Sequence, residues 1–180
     1  GLNLKSAQLA KPDNMSYSHS KYVAGIADVI KHACLASAIS RVEDPCVYFE
    51  THAGAGTYKL DDQNGAWVSG IKKVLPGLTN FPAAGPYLNI LRQYDFSQTG
   101  RYPASPCYTA LSSQIKQLLL CELNVKVAEV LKINLPHADV YTEDGFEMVK
   151  RTGADSFVFC DPPYKEPNDY QRVVELVATT

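Results

Sequence analysis

Asp161-Pro162-Pro163-Tyr164 closes the apolar run Ser156-Phe157-Val158-Phe159-Cys160. A carboxylate, two residues that offer no N–H, and an aromatic ring suit the gripping of a planar base and its amino group. Asp161, Pro162 and Tyr164 are therefore the candidate catalytic residues. Taken alone, the tetrapeptide reads first as a loop that stops a strand. Three further stretches place polar groups after apolar runs. Cys46-Val47-Tyr48-Phe49-Glu50 leads into Thr51-His52-Ala53-Gly54-Ala55-Gly56-Thr57, where glycines let the backbone turn tightly and come close to a ligand. The third glycine of the dinucleotide fingerprint is absent, since Lys59 stands in its usual place. Leu118-Leu119-Leu120-Cys121 ends in Glu122, placed to take ribose hydroxyls. Ala138-Asp139-Val140-Tyr141 is followed by Asp144-Gly145, where Asp144 either caps the next helix or meets a cofactor.

The elements that must position these groups follow from periodicity. Apolar residues at mostly helical spacing predict an amphipathic helix over 24–40, with Asp28, Lys31 and His32 on its other face. Asp28 and Lys31 are spaced as an i,i+3 ion pair, and a ligand-facing role is the alternative. Residues 57–117 carry Asn64-Gly65, Pro76-Gly77 and Gly85-Pro86 breaks between short helical patterns, at 66–75, 87–94 and 105–117, and read as an inserted helical lobe. Within it Ser105-Pro106 has the form of a helix start, Ser105 as N-cap. Helices near 125–133, 144–151 and 169–177 separate the later strands. The order strand, lobe, strand, helix, strand, helix, strand, helix predicts an open parallel α/β sheet. All four strand ends then lie on one edge, bringing His52, Glu122, Asp144 and Asp161 together around a nucleotide-like ligand.

The whole chain, 180 residues with 46% hydrophobic and 20% charged content, suffices for one domain with a core of its own. A formal net charge of −2 gives no global attraction to nucleic acid, so such a partner needs a local basic patch, for which Lys21, Arg92 and Arg101 are candidates by residue type. Cys34, Cys46, Cys107, Cys121 and Cys160 are dispersed, never spaced Cys-x-x-Cys, and read as reduced residues of a cytoplasmic protein with no metal site. No apolar run approaches the ~20 residues of a membrane span. Residues 1–15 read as an upstream extension or cloning remnant, and 16–180 as the functional domain.

With these residues in place the chain resembles the RlmJ-type S-adenosylmethionine-dependent adenine amino-methyltransferases of 23S ribosomal RNA. The likeness is carried from residue 16 to about 172 by Ser16-Tyr17-Ser18-His19-Ser20, Ala27-Asp28-Val29-Ile30-Lys31-His32, Thr51-His52-Ala53-Gly54-Ala55-Gly56, Tyr102-Pro103-Ala104-Ser105-Pro106, Glu122, Asp144-Gly145-Phe146 and Asp161-Pro162-Pro163-Tyr164. It implies a Rossmann-like methyltransferase sheet. It implies S-adenosylmethionine contacts from Lys31, His32, His52, Gly54, Ser105, Glu122, Asp144 and Gly145, catalysis at Asp161, and substrate contacts from Tyr17 and His19. Gly25-Ile26, Glu50 and Ala104 depart from the family pattern of Asn-His, Asp and Gly. The family also continues past the helix after its Asp-Pro-Pro-Tyr, so the sheet here is expected to be incomplete on its C-terminal side. The fourth strand would then be an edge open to self-association. The competing readings are a DNA adenine methyltransferase and a non-catalytic fragment that binds the cofactor or nucleic acid. A nicotinamide enzyme would need the missing glycine and an earlier ribose acid.

Overall fold

The computed structural model describes residues 21–60 and 63–179. Tyr17 and His19 lie outside them. The main sheet is built from β1 (Cys46–Glu50), β4 (Ile115–Cys121), β5 (Asp139–Tyr141) and β6 (Ser156–Phe159), all parallel, in the order β5-β4-β1-β6. The chain moves outward from β1 to β4 and β5, then returns to the other side of β1. That reversal makes a topological switch point between β1 and β6, where open α/β sheets take their ligands. The Rossmann-like reading of the sheet holds.

Side-chain alternation sorts the core into two faces. Tyr48 of β1 and Leu118 and Leu120 of β4 point into the larger cluster, which Leu35 and Ile39 of α1 (Ile26–Ile39) and Leu131 of α5 (Val125–Asn134) also enter. Phe49 and Cys121 point the other way and meet Val149, Met148 of α6 (Gly145–Met148) and Leu176 of α7 (Asp169–Thr179). Both faces of β6 are used: the Phe157 ring stacks on Tyr48 at 5.8 Å, while Val158 joins the second cluster. Among the described residues β6 pairs only with β1, so it is the sheet edge that the sequence predicts.

The region between β1 and β4 is not purely helical. β2 (Thr57–Lys59) and β3 (Arg101–Pro103) form an antiparallel ribbon that brings the two ends of the insertion side by side. These strands are three residues long, too short for alternation to show in sequence. Between them lie α2 (Ile71–Leu78), α3 (Gly85–Gln93) and α4 (Phe96–Thr99). α2 runs through the expected break: Pro76 lies inside it and gives up the hydrogen bond that an N–H there would make to the Lys72 carbonyl. The segment 105–117 is not one helix. A 3-10 stretch Ser105–Leu111 gives way to β4, which starts at Ile115 rather than Leu118. Exposed Lys116 and Gln117 hide the start of the strand from an apolar pattern, and Gln117 Nε2 donates to Asp139 Oδ2 of β5 at 2.7 Å. Cys34 is exposed, while Cys107 and Cys121 are the buried thiols; all five cysteines are free.

Two glycines fix how closely elements meet. A Cβ on Gly145 would stand 2.2 Å from the Thr51 carbonyl oxygen, so α6 abuts the end of β1 only because nothing projects there. A Cβ on Gly70 would fall 2.1 Å from the Ala24 carbonyl oxygen, which accepts a hydrogen bond from the Ile71 N–H at 3.0 Å and ties the entry to α1 onto the insertion. Gly145→Ala is expected to lower stability by about 2 kcal/mol or more, because backbone rather than a flexible side chain must yield. Gly153→Ala, where a Cβ meets nothing within 4 Å, should lie within about 0.5 kcal/mol of the parent. Urea unfolding midpoints of the two variants check this.

Candidate active site

The C-terminal edge of the sheet collects the expected strand ends. Gly54 and Gly56 both take positive φ, 61° and 76°, as the turn leaving β1 requires. Glu122, after β4, accepts the Gly54 N–H with Oε2 at 3.1 Å and the Asn124 N–H with Oε1 at 2.8 Å. The glycine loop and the acid of the neighbouring strand are thus one unit. Asp144 caps α6, its Oδ1 accepting the Phe146 N–H at 2.9 Å. Its Oδ2 accepts from Arg172 Nη2 of α7 at 2.7 Å. The Arg172 guanidinium lies 4.1 Å from the centre of the Phe146 ring, and that ring meets His52 edge-on at 5.2 Å. Burial opposes the charge on Asp144, but the Arg172 hydrogen bond and the Phe146 N–H outweigh it and hold the carboxyl below its ordinary value. Burial pushes His52 down toward the neutral ring, whose Nδ1 is hydrogen-bonded with the Thr51 hydroxyl at 2.8 Å.

On the other side of β1, Asp161 lies past the end of β6 and pairs with Lys31 of α1, Oδ2 to Nζ 2.5 Å. Lys31 also contacts Asp28 Oδ1 at 2.9 Å, and Asp28 Oδ2 accepts the Ala24 N–H at 2.9 Å. Burial disfavours the ammonium, yet Asp161 and Asp28 together override it and raise the Lys31 pKa. The i,i+3 pair expected on α1 is therefore half of a bridge to the Asp-Pro-Pro-Tyr loop. Pro162 is buried, and Tyr164 is exposed with φ 53°.

His32 and Ser105 sit in the core, and Ser105 meets the end of β1 through Glu50. His32 is 4% exposed, its Nδ1 hydrogen-bonded with the Tyr102 hydroxyl at 2.8 Å and its ring packed against Tyr102 and Tyr108. Burial lowers its pKa to about 3, so it is neutral. Ser105 is not an N-cap: Ala104 holds that position, and the Ser105 hydroxyl turns instead to Glu50 Oε1. Glu50 itself has no exposed surface and accepts from the Tyr48 hydroxyl at 2.8 Å. Desolvation drives its pKa up to about 8, against the opposing pull of the Ser105 and Tyr48 hydrogen bonds. A neutral Glu50 keeps both contacts, since a hydroxyl accepts as readily as it donates.

A family model described as ribosomal RNA large subunit methyltransferase D, RlmJ, matches residues 43–180. The chain belongs to this RlmJ family. It is 30% identical over 181 residues to ribosomal RNA large subunit methyltransferase J of Escherichia coli (strain K12), and 29% identical over 182 residues to the protein of that name from Haemophilus influenzae. Each alignment covers 91% of this chain and 64% of the relative, so the chain spans just under two thirds of their length. The crystal structure of protein LPL1258 from Legionella pneumophila superposes with a TM-score of 0.73 at 29% identity, over 87% of this chain and 63% of that one. The motifs around His52, Asp144 and Asp161 were readable in this sequence, whereas Arg172 and the buried role of Glu50 were not. Arg172 looks like any cation on a surface helix, and Glu50 reads as the polar end of a strand. The one available signal was the departure from Asp at position 50.

Two measurements follow from these electrostatics. Glu50 has a folded pKa of about 8 against 4.5 for the free side chain, so its contribution is fully present below about pH 4.5 and is lost as pH rises toward 8. Stability should fall across that window by on the order of a few kcal/mol, and Glu50→Gln should flatten the fall, as read by denaturant unfolding at successive pH values. Arg172→Met should raise the pKa of Asp144, measurable from its carboxyl carbon shift in an NMR titration.

Proposed function

We propose that this chain transfers the methyl group of S-adenosylmethionine to the exocyclic amino nitrogen of an adenine in 23S ribosomal RNA. The observation that carries this reading is that Asp161 and the glycine loop flank the switch point of one parallel sheet. Membership of the RlmJ family and the names of its relatives supply the substrate class.

The residues present fit the cofactor. Gly54 takes positive φ with the Tyr58 hydroxyl packed where a Cβ would project, so the turn is kept by glycine, and Glu122 stands beside it with lone pairs for ribose hydroxyls. Asp144 and Gly145 would take the adenine end, with His52 and Phe146 as the neighbouring rings. Lys31, beside Asp161, belongs to the set that the family resemblance implies, whereas His32 and Ser105, buried and bonded to Tyr102 and Glu50, would support that set from the core rather than touch the ligand. When bound, the cofactor supplies an electrophilic methyl carbon on a sulfonium.

Chemistry on the amino group needs the base out of its stack. Asp161 and the Pro162 carbonyl would accept the two amino hydrogens and aim the nitrogen lone pair, while Tyr164 would stack on the base, worth roughly 1–3 kcal/mol. Lys31, charged, holds the Asp161 carboxylate in place as an acceptor. This is catalysis by positioning and preorganised charge rather than by a strong base: the carbon–sulfur bond would break as the carbon–nitrogen bond forms, S-adenosylhomocysteine would leave, and the proton shed by the methylated nitrogen would pass to water or the Asp161 carboxylate. Lys21, Arg92 and Arg101 are exposed cations for RNA phosphates, Arg101 being steadied by the Thr57 hydroxyl at 2.6 Å. Such a substrate sets the protein in the cytoplasm, and no described helix is long and apolar enough to cross a membrane.

Purified protein given labelled cofactor should label ribosomal RNA, and Asp161→Ala should reduce incorporation by about 100-fold or more with an unchanged circular dichroism spectrum. Equal labelling by the variant overturns the catalytic assignment. Label in DNA alone would move the reading to a DNA enzyme, and tight S-adenosylhomocysteine binding without turnover on either would make the chain a binding module.

A further inference from the structure

Tyr164 occupies a conformation that bulky residues rarely adopt, φ 53°, at the solvent face of the catalytic loop. Such a backbone persists where its surroundings impose it. The surroundings include Tyr170: the two rings lie with centroids 4.6 Å apart, tilted by 33°. Tyr170 is placed by the turn before α7, where buried Asp169 accepts the Glu166 N–H at 3.3 Å and its own N–H donates to the Glu166 carbonyl at 3.1 Å. Yet Tyr170 remains 68% exposed and Tyr164 41% exposed. Two rings packed at a tilt and left open to solvent, one of them three residues after Asp161, form a π surface, and such surfaces bind unpaired bases.

We propose that Tyr170 is a positioning residue of the nucleobase site. Its ring backs that of Tyr164, holds it in the left-handed conformation and presents it for stacking on an unpaired base. This rests on the nucleic-acid reading above and adds to it a residue outside the Asp-Pro-Pro-Tyr motif.

The test compares parent, Tyr170→Phe and Tyr170→Leu in two assays. The first is the affinity of a fluorescein-labelled, adenine-bearing single-stranded RNA relative to the same strand with an abasic site, read by anisotropy. The second is kcat/KM for methyl transfer to ribosomal RNA. Tyr170→Phe should keep the preference for the base, and Tyr170→Leu should lose it by roughly fivefold or more, with a comparable fall in kcat/KM. A merely structural role would not move the base-to-abasic ratio.

The proposal is overturned if the parent shows no preference for the base, if Tyr170→Leu retains it, or if Tyr170→Phe loses as much as Tyr170→Leu. Retention by Tyr170→Leu would assign Tyr170 instead to the exposed apolar row it forms with Val174 and Val177 on α7. A parent that shows a ring-dependent preference but methylates nothing would sink the enzymatic reading and leave this one standing.

Discussion

A carboxyl with no exposed surface at the end of the central strand is the constraint around which the site is assembled. Glu50 loses all contact with water, and an isolated buried charge would cost far more than a small domain can sustain. The Tyr48 and Ser105 hydroxyls meet its oxygens, and neutralisation removes the rest of the penalty. Ser105 belongs to the segment returning from the insertion, so one polar contact in the core joins sheet and insertion. The aromatic layer beside it, His32 with Tyr102, Tyr87 and Tyr108, repeats the pattern: rings fill volume while the polar atoms of His32, Tyr102 and Tyr87 pair with one another and the Tyr108 hydroxyl donates to the Pro103 carbonyl.

The edge above this core is organised in two halves on either side of β1. On one, Glu122 holds the glycine loop and Arg172 holds Asp144 and Phe146. On the other, α1 sends Lys31 across to Asp161. Each half uses a helix remote in sequence to orient an acid that follows a strand, α7 for Asp144 and α1 for Asp161. The two cations differ in kind, as their geometry requires. A planar guanidinium can pair with a carboxylate while its face covers Phe146, whereas a compact ammonium can sit between two carboxylates.

Much of this was legible in the sequence because parallel strands buried on both faces leave continuous apolar runs, and the polar residue ending each run marks the sheet's ligand edge. Tyr48-Phe49 and Leu118-Leu119-Leu120 announced their strands, and His52, Glu122, Asp144 and Asp161 their ends. The failures have a common physical origin. β2, β3 and the first residues of β4 are short or solvent-facing, so no periodicity betrays them. Ser105-Pro106 has the form of a capped helix start, yet the tertiary demand of Glu50 for a hydroxyl overrode the local preference. Arg172 acquires its role only from where α7 docks.

The side-by-side placement of β2 and β3 bears on how such a sheet accommodates a long interruption between its first two strands. The entropy lost in closing a loop grows only with the logarithm of its length. Once Thr57 faces Pro103 and the Gly56 carbonyl accepts the Ala104 N–H at 2.8 Å, the ends are joined whatever lies between them. The spacing of β1 and β4 is then insulated from the contour length of the excursion. Evolution is free to resize the interior of the insertion while the glycine turn, which shares that neck, stays in register with the sheet.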